Sequence, residues 1–220
     1  MDNQLFLIVG FALVVVAALV AVNWFRGQRR AKQLRAIAAQ LGYAYAEVGT
    51  GLVDSLSGSG LFSHGGLHAG QATNVLRTEV EGAAVTALDY RYTTGVGKNQ
   101  RTANQTALIL ESERLDLPAF SLRPEGLSQK LQGAMGLPDI DFPEQPSFSS
   151  AYVLQGSDEA QIRALFDAEK PAFFAQRRGL SIEGDGHRLV YYRERKLVSP
   201  KAMQSFVEEG LAVLRLMAGK

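Results

Sequence analysis

The chain opens on an uninterrupted apolar run, Leu5–Phe25, in which Asn23 is the only clearly polar side chain and no residue is charged. A helix of that length spans roughly 32 Å at about 1.5 Å per residue, against about 30 Å of bilayer hydrocarbon. Trp24 stands where an interfacial aromatic belongs, so the pattern predicts a single transmembrane helix. Just beyond it, Leu34, Ile37, Ala38 and Leu41 fall at helical spacing on one face of residues 28–41, and Gly42 is placed to cap that helix. This second helix either continues the first across Gly27 or hinges there.

Residues 49–70 are rich in Gly and Ser and read as loop. Strand patterns then dominate: Ala72–Val80, Ala83–Thr93 and Arg101–Glu111 carry β-branched and aromatic residues, separated by Glu81-Gly82 and a glycine-containing loop, which predicts an antiparallel meander. Leu88, Tyr90 and Tyr92 alternate with Asp89 and Arg91, the pattern of a strand with one wet face. Pro118, Pro124, Pro138, Pro143 and Pro146 punctuate a less regular stretch, with a short helix expected near Gly126–Ala134 and a strand at Phe148–Leu154. Ser157 is a candidate cap for a helix carrying Ile162, Leu165 and Phe166, and Asp185-Gly186 signals a hairpin. Ser199-Pro200 opens a last helix that presents Met203, Phe206, Val207, Leu214 and Met217 on a shared face.

The expected fold class is therefore α+β: an N-terminal single transmembrane helix followed by a soluble domain of antiparallel strands flanked by helices. The chain divides into a transmembrane anchor at residues 1–27, a juxtamembrane helix and Gly/Ser-rich connection at 28–71, and a soluble α+β domain at 72–220. A cleaved signal peptide is the competing reading of the N-terminus. It lacks the positively charged start, because only Met1, Asp2, Asn3 and Gln4 precede the run, and its apolar stretch exceeds the usual length of about 7–15 residues.

Charge adds an orientation. Arg26, Arg29, Arg30, Lys32 and Arg35 follow the apolar run at once, whereas Asp2 alone precedes it. Cationic flanks stay on the cytoplasmic side, so the expectation is a bacterial inner-membrane protein with its N-terminus outside and its C-terminal domain in the cytoplasm. The same cations could meet anionic headgroups, at about 1 kcal/mol each near the surface. Beyond Arg35 the chain sums to −3, which gives no reason to expect nucleic-acid binding. There is no cysteine, so disulfides, thiolate metal sites and cysteine nucleophiles are excluded. In the anchor, Ala17 and Ala21 form a small-xxx-small pair that would let a second copy approach as a weak homodimer.

Candidate chemistry is sparse. Gly95, Gly97 and Lys98 evoke a phosphate loop but lack its spacing and join two strands, so a hairpin turn accounts for them better. His64 and His68 have i, i+4 spacing, but Gly65 and Gly66 lie between them and His187 is remote, so no metal is called for. Asp139, Asp141 and Glu144 form an acidic cluster whose pattern departs from a calcium-binding loop. Arg123, Glu125 and Arg163, with Asp158 and Glu159, are candidates for structural ion pairs or for holding an anionic ligand. No motif implies a cofactor.

The segments PAFSLRPE at 118–125, DIDF at 139–142, FSSAYVLQG at 148–156 and DEAQIRALF at 158–166, with the TTGVGKNQ loop at 93–100, resemble an uncharacterised family of small bacterial membrane proteins. That resemblance implies an N-terminal transmembrane segment and a downstream domain of unknown function, and no activity. Two functional classes follow. The first is a membrane-tethered module that binds a membrane protein partner; the second is an enzyme or small-molecule sensor with a polar pocket in segment 118–146.

Overall fold

The computed structural model describes residues 2–55, 70–94, 97–128, 139–167 and 169–219. Helix α1 (Asp2–Leu41) is continuous and does not break at Gly27. From Phe6 to Arg29 its side chains are all exposed, and the helix is long and apolar enough to cross a membrane. Among the described residues it meets the rest of the chain from Arg30 onward, and there Leu34 and Ala38 are fully buried. Gly42 ends it at φ +73°, and Tyr43 donates its N–H back to the Ala38 carbonyl at 2.8 Å. A left-handed residue in this position is the role glycine fills at minimal strain.

Among the described residues eight strands form one antiparallel sheet: β1 (Ala44–Val48), β2 (Gln71–Val80), β3 (Ala83–Thr94), β4 (Arg101–Glu111), β5 (Leu117–Pro124), β6 (Tyr152–Gly156), β7 (Ser181–Gly186) and β8 (Arg188–Tyr192). Their spatial order is β1-β2-β3-β4-β8-β7-β5-β6. The expected meander is present as β2, β3 and β4, extended at its edge by β1. Between the strands lie the one-turn helices α2 (Leu52–Ser55), α3 (Glu125–Ser128) and α4 (Pro146–Ser149) and the two-turn helices α5 (Glu159–Leu165) and α6 (Glu169–Ala175), and the long helix α7 (Met203–Ala218) follows β8.

Three local expectations shift. Phe148–Leu154 was expected to be strand throughout, but Pro146 starts a helical turn that runs to Ser149, and pairing begins only at Tyr152. β5 forms despite its two prolines: Pro118 sits where its register against β7 slips, between Leu117 and Phe120, and Pro124 ends the strand. The cap of α5 is Asp158, not Ser157, with its carboxylate accepting the Gln161 N–H at 2.9 Å. Of the helix expected near Gly126–Ala134, the turn Glu125–Ser128 is observed, and the remainder lies outside the described residues.

Both faces of the sheet are buried. On one face α1, α5, α6 and α7 pack a continuous core that includes Leu76, Val85, Leu108, Phe120, Leu154, Phe166, Ile182 and Phe206. At the centre of this face Gly210 brings α7 so close to β4 that an added Cβ would collide with the end of Leu108. The other face carries a smaller apolar cluster of Val75, Leu88, Tyr90, Tyr92, Ile109, Val190 and Tyr192, with Leu52 and Val53 of α2 packed against it.

Candidate functional site

Asp89 belongs to no wet face. It lies on the helix-covered side of β3 and receives Arg30 from α1 through two parallel bonds, Nε to Oδ2 and Nη2 to Oδ1, each 2.7 Å. Such paired donation is the strongest geometry available to a guanidinium and a carboxylate. Thr106 Oγ1 donates to Oδ1 at 2.9 Å and Asn74 Nδ2 to Oδ2 at 2.9 Å, so both carboxylate oxygens accept twice. Arg30 Nη1 also donates to the Val198 carbonyl at 2.8 Å, and the Val198 N–H donates to Thr106 Oγ1 at 2.9 Å. Asn74 reaches Asp89 because β2 bulges between Thr73 and Leu76, with Asn74 at φ +51°, a conformation asparagine tolerates better than most residues. Tyr45 of β1 steadies the amide by donating to its Oδ1 at 2.8 Å. One buried carboxylate thus ties α1, β1, β2, β4 and the approach to α7 together.

A second polar cluster occupies the opposite face. Arg123 Nη2 donates to Glu183 Oε1 at 2.7 Å, and the Tyr192 hydroxyl donates to the same oxygen at 2.8 Å. Burial works against the charge on Arg123, but Tyr192, Glu183 and Glu194 around it hold its pKa above the ordinary arginine value. The Tyr192 hydroxyl is pushed well above the tyrosine range, first by burial and then by the Glu183 charge. Beside them the Gln105 side-chain oxygen accepts from Tyr92 at 3.3 Å and from the Arg195 N–H at 3.0 Å. Ser181 Oγ, Gln105 Nε2 and Glu194 Oε1 are buried without a hydrogen bond among the described residues.

Glu194 yields a pH prediction. Burial raises its pKa above 4.5, against the opposing pull of Arg123 and Arg195. A carboxyl raised by folding binds its proton more tightly in the native state. Its contribution to stability is therefore full below the unfolded value and is lost as pH rises through the native one. Glu194→Gln should raise the melting temperature at pH 7 by a few degrees and flatten the decline that sets in as pH rises above about 4.5. Thermal melts of both proteins across that range check it; parallel curves would show that Glu194 is not the group responsible.

The structure separates the residues offered as an anion site. Arg123 lies in the cluster just described, whereas Arg163 pairs with Glu159 one turn away at 2.8 Å, donates to the Asp141 carbonyl at 2.8 Å and lies over the Phe142 ring. Glu125 begins α3, its N–H donating to the Ala151 carbonyl at 3.0 Å. In the acidic cluster Asp139 accepts the Leu154 N–H at 2.9 Å, and Glu144 lies exposed in a turn. Among the described residues no group of His, Asp and Glu is arranged to hold a metal ion. His64, His68 and Gly95 lie outside the described residues; Gly97 and Lys98 form a single turn between β3 and β4.

The cations beside the apolar run do not act alike. Arg26, Arg29 and Lys32 are exposed. Arg30 is built into the domain, and Arg35 lies over the Tyr45 ring with Glu47 at 3.5 Å. The partners of Arg30 were hidden in the sequence. The available hint was a lone aspartate within the Leu88–Tyr92 alternation, with nothing to mark its partner 59 residues upstream.

The fold is an eight-stranded antiparallel sheet of α+β class, with a long N-terminal apolar helix whose C-terminal part packs on it. It is similar to the crystal structure of the mycobacterial trehalose monomycolate transport factor A, TtfA, with a TM-score of 0.61 over 85% of this chain and 95% of that one. The two sequences are 12% identical, so the likeness is one of fold. No family model matches the chain, and no curated protein does.

Proposed function

We propose that this chain is a single-pass membrane protein, N-terminus outside and C-terminal domain in the cytoplasm, serving as a membrane-tethered interaction module in a transport assembly. The observation that carries this reading is the unbroken helix α1, bound to the sheet by the Arg30–Asp89 pair. A helix that enters the domain without a hinge presents that domain at one height and one orientation above a membrane. This suits a docking element better than a freely diffusing catalyst. The fold shared with TtfA, by its name a transport factor, supports the assembly. The five basic residues that follow the apolar run support the orientation. An enzyme or sensor built on segment 118–146 is the weaker reading, because Arg123 is engaged by Glu183 and Asp139 by the Leu154 backbone.

Two measurements test the proposal. A reporter that fluoresces only in the cytoplasm, fused after Lys220, should be bright; a dark reporter beside an active periplasmic one would overturn the orientation. Neutralising Arg26, Arg29, Lys32 and Arg35 should leave orientation mixed, with Arg30 kept because it also holds the fold. Crosslinking of the intact protein in its own membrane should trap an integral membrane protein of transport type. Recovery of lipid and self-adducts alone would remove the interaction reading.

A further inference from the structure

Arg26–Arg30 separate the end of the apolar run from the point where α1 is bound to Asp89. Five helical residues rise roughly 7.5 Å, about the depth of one headgroup layer. Contacts along α1 show which end of the sheet faces the apolar run. Arg35 lies over Tyr45, which is in register with Leu76 and, through it, with Ala87. Arg30, nearer the apolar run, binds Asp89. Moving towards the apolar run on α1 therefore moves along β3 from Ala87 to Asp89, and onward to the hairpin that joins Thr94 to Arg101. From Asp89 to Thr94 is about 16 Å of strand, so strands inclined by as much as about 60° would still carry the hairpin end down by about 8 Å.

That end of the sheet is basic. Arg91, Lys98, Arg101, Arg195, Lys196 and Lys201 are exposed there, while Glu194 is half-buried in the field of Arg123 and Arg195. A groove runs between Arg101–Asn104 of β4 and the segment after β8, where Leu197 is 45% exposed. The opposite end, by contrast, carries a groove lined by Glu79, Glu111, Glu113 and Asp185 with His187 and Arg188. The groove at the hairpin end is thus lined by Arg101 and Arg195, whereas carboxylates outnumber cations in the groove at the opposite end.

We propose that the hairpin end of the sheet is a second membrane-binding element. It seats in the headgroup layer and takes the phosphate of an anionic phospholipid in the groove between β4 and the segment after β8. This rests on reading α1 as membrane-spanning. Each cation near an anionic surface favours contact by roughly fivefold, so six on one end make a persistent attachment. The α1 helix then sets the height and orientation of the domain, and the hairpin braces it against the surface.

The chain has no cysteine, so one introduced thiol labels a single site. The full-length protein would carry an environment-sensitive dye at Gln100→Cys, in the hairpin, or at Glu113→Cys, at the far end. Each would be reconstituted into vesicles of phosphatidylcholine with or without phosphatidylglycerol, together with a headgroup-attached quencher. With phosphatidylglycerol, quenching at position 100 should exceed that at 113 severalfold and should fall to the level at 113 in K98E/K196E/K201E. An unchanged melting temperature would show that this variant is folded. Equal quenching at the two positions, or equal quenching at 100 with and without the anionic lipid, overturns the proposal and leaves the anchor intact. Failure of the protein to resist alkaline extraction from the vesicles overturns the anchor and the proposal together.

Discussion

Asp89→Ala should lower the unfolding free energy of the domain by about 3–5 kcal/mol, as expected when one partner of a buried ion pair is removed. The side chains of Arg30 and Asp89 are 18% and 8% exposed, so little solvent is available to screen the charge left behind. Arg30 would lose its carboxylate and keep only the Val198 carbonyl and a long 3.3 Å bond to Thr106. Asn74 and Thr106 would each lose an acceptor. Arg30→Met should be comparably harmful, since Asp89 would then lie buried with neutral donors alone. The double variant R30M/D89L should recover part of the loss, because no charge is left stranded. Urea unfolding of a chain starting at Gln28 measures all three. Midpoints within experimental error of one another and of the parent would mean that α1 is held by Leu34 and Ala38 alone.

Ending the chain before Ser199 should abolish cooperative folding altogether. The lost helix buries Met203, Phe206, Val207, Leu211, Val213, Leu214 and Met217 against the sheet. Seven such side chains at about 1.5–3 kcal/mol each represent roughly 10–20 kcal/mol, as much as or more than the whole stability of a typical domain, about 5–15 kcal/mol. Residues 28–220 should unfold in one transition, whereas residues 28–198 should show no sigmoidal melt and should bind a hydrophobic dye. The longer chain is expected to fold by itself because side chains 6–29 are all exposed and contribute nothing to either core cluster. A cooperative melt from the shorter chain would make α7 peripheral.

The legible features were those with strong local periodicity or punctuation. The apolar run, the β2–β3–β4 meander, the Gly42 stop and the apolar face of the last helix all stand where their patterns put them. The hairpin at Asp185-Gly186 is present one residue later, with Gly186 and His187 between the paired Asp185 and Arg188. β1 was missed because AYAEV is short and alternates too little, and β5 because its prolines argue against a strand in isolation. Both are strands by virtue of a neighbour that supplies the hydrogen bonds.

The sequence by itself determined that the chain has one long apolar helix with a basic flank, and that an antiparallel α+β domain follows. Hydropathy, charge order and strand alternation are properties of neighbouring residues and need no third dimension. Only the tertiary structure decided which charges meet. Arg30 reads as one more cation of the flank, and Asp89 as a solvated carboxylate, until the α1–β3 crossing brings them to 2.7 Å. Arg123 likewise finds Glu183, 60 residues away, an acid outside the set that the sequence offered. Strand order sets such pairs, and strand order arises from contacts between segments far apart in the chain, which composition and spacing do not encode.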